Sequence, residues 1–270
     1  RLQGDWSSDV CSSDLIVLES KHIANIFGNF AADLFHIESN HNFMPVDQVA
    51  YQDLKKYCDQ RGVQLVAVSK TKPNEDILSL YESGHRVFGE NYVQELVKKQ
   101  EELPKDIQWH FIGHLQSNKV KYIASFVTLI HGVDSLKLLQ AIDKEAKKCN
   151  RIIPCLLQVH VAKEETKFGF DIAELRSAAT EIFLEKKFTN VSVVGLMGMA
   201  SFTEEESVIS SEFQQLKSIF DELRNTYKEQ TTHFNTLSMG MSSDYKTAID
   251  CGSTMVRIGS TLFGARNYNV

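Results

Sequence analysis

The sequence predicts a (β/α)8 barrel of the TIM type over residues 46–270, preceded by one extra helix. Three observations carry that expectation. Eight short, β-rich apolar runs alternate with longer amphipathic stretches over about 225 residues, the rhythm of repeated strand-helix units. With 43% hydrophobic and 24% charged residues, the chain can bury a core of that size. The alternative, a doubly wound open sheet, lacks its local signature: no G-x-G-x-x-G opens the first strand-helix turn, and Phe88-Gly89-Glu90 carries one glycine.

In chain order, the extra helix runs from Val46 to about Gln60. The eight expected strands are Leu65–Ser69, Arg86–Phe88, Gln108–Ile112, Leu129–Gly132, Cys155–Val161, Val191–Leu196, Phe234–Leu237 and Met255–Ile258. Asp171-Ile172-Ala173-Glu174 and Thr203-Glu204-Glu205-Glu206 have the form of capping boxes and mark two helix starts. After them, Ile172, Leu175, Ala179, Ile182 and Phe183 share one helical face, as do Phe213, Leu216, Ile219, Phe220 and Leu223, so each helix buries a stripe.

Residues 1–45 stand apart. Ser7-Ser8-Asp9-Val10-Cys11 is nearly repeated by Ser12-Ser13-Asp14-Leu15, with no helical or strand period. They are expected to be an atypical, non-native extension, with Met44 as the natural start and 46–270 as the functional barrel.

Composition excludes several function classes. A net charge of -6 argues against a broad nucleic-acid surface, which needs clustered Lys and Arg. No stretch has the apolar length of a membrane span, so a cytoplasmic protein is expected. The five cysteines are scattered and form no CxxC pair, against a disulfide framework or a zinc site. His110 and His114 are four apart, but they flank a strand and Gly113 rather than sharing a helix face, so no metal site is expected.

The chemistry centres on Lys70. It ends the apolar run Val63-Gln64-Leu65-Val66-Ala67-Val68-Ser69-Lys70, and Pro73 follows closely. Most strand-end lysines are simply solvated, yet an amine at a barrel mouth can act as a nucleophile toward an aldehyde. In a barrel the loops after strands seven and eight commonly bind phosphate. Here they read Leu237-Ser238-Met239-Gly240-Met241-Ser242 and Arg257-Ile258-Gly259-Ser260-Thr261, small and rich in hydroxyls. Gly259-Ser260 alone reads more readily as an ordinary strand-to-helix turn, and it is the two adjacent loops of the same chemistry that shift the balance toward phosphate. Because strands one and eight pair in a closed barrel, Lys70 and this cradle become neighbours, and a phosphorylated aldehyde bound through Lys70 is the economical ligand.

Five ordered motifs then resemble the pyridoxal phosphate homeostasis protein family: Ala67-Val68-Ser69-Lys70-Thr71-Lys72-Pro73, Phe88-Gly89-Glu90-Asn91-Tyr92-Val93-Gln94-Glu95, Trp109-His110-Phe111-Ile112-Gly113-His114-Leu115-Gln116-Ser117-Asn118-Lys119, Leu237-Ser238-Met239-Gly240-Met241-Ser242 and Val256-Arg257-Ile258-Gly259-Ser260. The resemblance implies a barrel like the alanine racemase N-terminal domain, with pyridoxal 5'-phosphate as a Schiff base on Lys70. It further implies that Ser238, Gly259 and Ser260 hold the phosphate, that Asn91 faces the ring and that Arg257 approaches the pyridine nitrogen. A cation there disfavours ring protonation and weakens the ring as an electron sink. One departure stands out: His160 occupies a position where many relatives carry Asn.

The resemblance also implies a protein that stores and delivers the cofactor for vitamin B6 homeostasis, without turnover, as a monomer or weak dimer, with dependent apoenzymes as recipients. A racemase needs a second domain and a partner tyrosine as opposite-face base. The chain ends soon after strand eight, so neither is expected. An amino-acid racemase or lyase using the same lysine is the alternative, and a cofactor-free aldolase a more remote one.

Overall fold

The computed structural model describes residues 46–162, 168–230 and 232–264. The expectations for residues 1–45 and for the charged segment 163–167 lie outside the described residues.

Eight parallel strands close into one barrel in chain order: β1 (Gln64–Val68), β2 (Val87–Glu90), β3 (Gln108–Phe111), β4 (Leu129–Val133), β5 (Ile153–Gln158), β6 (Val191–Met197), β7 (Thr236–Ser238) and β8 (Met255–Ile258). The extra helix α1 (Gln48–Asp59) precedes β1. Between and after the strands come α2 (Asn74–Glu82), α3 (Val93–Glu102), α4 (Leu136–Lys148), α5 (Ile172–Phe183), α6 (Glu206–Thr226), α7 (Tyr245–Asp250) and α8 (Ser260–Phe263). A 3-10 turn, Ser117–Tyr122, replaces the helix between β3 and β4.

Local chemistry explains the element ends. Asp47 caps α1 by accepting from the Ala50 amide at 2.9 Å. The expected box at Asp171 forms, with Glu174 N–H bonded to Asp171 and the Glu174 side chain reaching back. The one at Thr203 does not. Thr203 Oγ1 accepts instead from the Glu205 amide two residues on, at 3.1 Å, and α6 starts at Glu206. A threonine hydroxyl serves a local turn as readily as a helix start, and spacing alone does not separate the two.

Alternation along the strands creates two cores. Outward side chains pack beneath the helices in one large cluster, whereas Val66, Leu129, Leu156, Met197 and Met255 form a separate apolar plug inside the barrel. Toward the C-terminal strand ends, the inward positions turn polar with His110, His131, Ser238 and Arg257, all buried. Closure is made by β1 on β8, with Val66 opposite Arg257 and Ala67 opposite Ile258. That register sets Lys70, two residues past β1, beside the Gly259–Ser260 turn that leaves β8.

Candidate cofactor site

A cavity of about 670 Å³ opens at the C-terminal mouth. Its wall brings together Lys70, Asn91, Arg257, Gly259 and Ser260, five of the six residues singled out in the sequence. Val68, Ile112, Met199, Phe202 and Met241 supply apolar surface, while Ser242, Ser243 and Thr261 add hydroxyls near the Gly259 turn. A cavity that combines apolar surface, cationic side chains and several hydroxyls suits a flat, phosphorylated aromatic ring.

Ser238, the sixth residue, sits below this wall. It is fully buried, and its hydroxyl accepts from Arg257 NH1 at 2.7 Å. Arg257 NH1 also donates to the Ser238 carbonyl at 2.9 Å, and NH2 donates to the Gly198 carbonyl at 3.2 Å. Three bonds to two strand ends fix the guanidinium plane at the cavity floor. Burial lowers the Arg257 pKa to about 10, so it stays charged at neutral pH.

The polar floor continues across the barrel. Ser238 Oγ lies 3.1 Å from His131 Nδ1, and His131 Nε2 lies 3.0 Å from His110 Nδ1. With Arg257 donating to Ser238, the serine proton points to His131, and His131 donates to His110. Every bond of the chain then has one donor and one acceptor. Burial pushes His110 down to about 3 and His131 well below its usual value, so both rings are neutral. Alternation with Leu129 signalled that His131 points inward, but no sequence signal joined it to a serine 107 residues away.

Asn91 is placed by a close backbone approach. At Gly113 a Cβ would lie 2.4 Å from the Asn91 carbonyl oxygen, so only glycine lets the ends of β2 and β3 meet there. The Asn91 Oδ1 atom is buried and has no hydrogen-bond partner, an acceptor left for a donor in the cavity. On the other side of β1, Ser242 Oγ accepts from the Gly259 amide at 3.2 Å, tying the β7 and β8 loops into one cradle. Gly259 leaves room: an added Cβ would press on the Val68 carbonyl oxygen at 3.3 Å. Lys72 donates to the Phe263 carbonyl at 2.6 Å and holds the end of α8 against the site. Ser242 and Thr261 lie in the two hydroxyl-rich loops expected from the sequence to bind phosphate, whereas Lys72 was quoted inside a motif without a role.

The histidines four apart have separate tasks. His110 belongs to the buried chain; His114 stacks on Phe168 with centroids 4.0 Å apart and faces Asp134 Oδ2 at 3.1 Å. Among the described residues no group of three His, Cys, Asp or Glu side chains is arranged to hold a metal ion. At His160, where an Asn contact was in question, the backbone amide bonds to the Phe170 carbonyl at 3.0 Å and keeps the strand-five exit in place.

Residues 50–267 match the alanine racemase N-terminal domain family. The chain is similar to the pyridoxal phosphate homeostasis protein of Aquifex aeolicus, 42% identical over 221 residues that cover 80% of this chain and 94% of that one. It is 38% identical over 216 residues to the human protein of the same name, covering 76% of this chain and 78% of that one. Among solved structures it resembles PipY of Synechococcus elongatus with PLP bound, with a TM-score of 0.71, 36% identity, and coverage of 80% of this chain and 100% of that one. Alanine racemase from Streptomyces coelicolor shares the fold at a TM-score of 0.62 and 16% identity, with 82% of this chain covering 60% of that one.

Proposed function

We propose, from the premise that this chain belongs to the pyridoxal phosphate homeostasis protein family, with the alanine racemase N-terminal domain barrel, that it binds pyridoxal 5'-phosphate and serves vitamin B6 homeostasis. The observation that carries the reading is one cavity joining the Lys70 amine, a buried arginine and a hydroxyl-lined glycine turn. Lys70 holds the aldehyde carbon as a Schiff base, with loss of water. Arg257, fixed by Ser238 and Gly198, meets the pyridine nitrogen and keeps it unprotonated. Gly259, Ser260 and the neighbouring Ser242 and Thr261 take the phosphate, Asn91 takes a polar ring substituent, and Ser238 acts beneath Arg257.

Storage rather than turnover is supported by the relatives themselves, whose shared name is pyridoxal phosphate homeostasis protein. A protein in the cytoplasm, monomeric or weakly dimeric, that hands cofactor to dependent apoenzymes fits this reading. No helix among the described residues is long and apolar enough to cross a membrane.

Titrating the purified protein with pyridoxal 5'-phosphate, then incubating the loaded protein with a panel of amino acids, tests the reading. A saturable new absorbance band with no amino-acid conversion is expected. Racemised or cleaved amino acids would replace it with the racemase or lyase alternative.

A further inference from the structure

Lys70 is the second residue past β1, where a chain leaving a strand is ordinarily at its loosest. Both its neighbours are held. On one side Ser69, fully buried, donates its hydroxyl to Glu90 Oε1 at 2.6 Å, while its carbonyl accepts from Lys99 Nζ at 2.8 Å. On the other side the Thr71 amide donates to Glu95 Oε1 at 2.6 Å.

The two anchors are one device. Lys99 is 4% exposed, and its Nζ bonds to the Ser69 carbonyl, to Glu90 Oε1 at 2.8 Å and to Glu95 Oε1 at 2.6 Å. An ammonium has three protons, and all three are used. Glu90 ends β2, whereas Glu95 and Lys99 stand one turn apart on α3, so the strand and the helix after it jointly grip the residues flanking Lys70.

The grip has strain to hold. Thr71 has φ +61, a left-handed backbone that β-branched residues rarely adopt. Its side chain is exposed, and its backbone amide is held by the bond to Glu95. The sharp turn lets the Lys72 amide reach back to the Ser69 carbonyl at 3.0 Å and lets the Lys72 side chain cross to Phe263. Strained residues persist where the surroundings over-determine them, and they cluster at functional sites.

We infer that Glu95 and Lys99 are positioning residues for Lys70: with Glu90 and Ser69 they hold Thr71 in its left-handed turn and thereby aim the Lys70 amine into the cavity. The inference rests on the cofactor reading above and adds the residues that set the reactive amine without touching the ligand. Loss of the grip leaves the cavity able to bind the cofactor but slows bond formation at Lys70.

Two variants and their combination test this: Glu95→Ala, Thr71→Gly, and both together. Glycine adopts the left-handed turn without strain, so it replaces what Glu95 enforces. After incubation with pyridoxal 5'-phosphate, borohydride traps the adduct, peptide mapping measures it on Lys70, and equilibrium dialysis measures total bound cofactor. Glu95→Ala should slow Lys70 trapping about tenfold, well within what strain of this kind can supply, at nearly unchanged total binding. Thr71→Gly alone should stay near the parent, and the double variant should recover most of the loss. Hydrogen exchange of the Thr71 amide in protein without cofactor should accelerate in Glu95→Ala, a readout that does not depend on the ligand.

Trapping in Glu95→Ala at the parent rate, or a folded double variant that recovers nothing, would overturn the inference. A parent protein that binds the cofactor but shows no Lys70 adduct would instead overturn the proposed function. In that case a Thr71 amide equally protected in parent and Glu95→Ala would overturn the clamp as well.

Discussion

Replacing Ser238 by alanine removes one oxygen from the centre of the buried polar floor. That oxygen accepts from Arg257 at 2.7 Å and stands 3.1 Å from His131, with no solvent exposure. The variant loses a hydrogen bond to a charged donor and strands a buried imidazole nitrogen, together a cost of about 3–4 kcal/mol. With a urea dependence of about 2–3 kcal/mol per molar for a domain of this size, the unfolding midpoint should fall by about 1–2 M. Circular dichroism during urea titration reads it. In Ser238→Ala/His131→Phe the stranded nitrogen is gone as well, so the double variant should be more stable than the sum of the single losses by about 1–2 kcal/mol. Ligand binding separates two roles for the hydroxyl. Support of Arg257 weakens pyridoxal and pyridoxal 5'-phosphate by the same factor, whereas a phosphate contact weakens only the latter. A midpoint shift below about 0.3 M or a loss confined to the phosphorylated ligand would refute the proposed link between Ser238 and Arg257, and strict additivity would refute the one between Ser238 and His131.

Acid should destabilise the protein early. Burial lowers His85 to about 4, His110 to about 3, and His131 well below its usual value. Unfolded histidines near 6.5 take up protons first, so stability present at neutral pH is lost as the pH falls below that value. Between pH 7 and 5.5 each contributes on the order of 1 kcal/mol, and the three together a few kcal/mol. Glu90 acts with the opposite sign, because burial raises its pKa and its destabilising effect at neutral pH is relieved as it protonates. A melting temperature unchanged from pH 7 to 5.5 would contradict the buried neutral histidines. Gly113→Ala places a Cβ 2.4 Å from the Asn91 carbonyl and 2.8 Å from its Cα, both backbone atoms that cannot swing away. It should cost about 1–3 kcal/mol in thermal unfolding and weaken the cofactor about tenfold through the displaced Asn91; parent-like values for both would show that the strand ends are not packed this tightly.

The barrel was legible because each strand announces itself locally. Eight apolar runs fall within a few residues of the eight observed strands, and Asp171 caps its helix as its spacing requires. The mismatches have local causes. The fifth strand stops at Gln158 because the chain beyond it pairs with Phe170 as an isolated bridge, so the apolar run through Val161 outlasts the ladder. The seventh is three residues, Thr236–Ser238, set by short pairings to Met197 and Met255. Lys70, Gly259 and Ser260 could be placed together because closure of β1 on β8 follows from the fold class. Contacts across the barrel could not. His131 on β4 meets Ser238 on β7 only once the interior is built, and periodicity says which face a residue takes, not whom it meets. The clamp on Lys70 was equally hidden, since Glu90, Glu95 and Lys99 read as ordinary charges until the helix packs on the strand ends.

The central claim is that Lys70 holds the cofactor. Borohydride reduction of protein loaded with pyridoxal 5'-phosphate, followed by peptide mapping, tests it most directly. The phosphopyridoxyl mass should sit on the peptide containing Lys70 and vanish in Lys70→Ala, while inorganic phosphate still competes for the cavity. The same reducible adduct retained in Lys70→Ala, or mapped to another lysine in the parent, would contradict it.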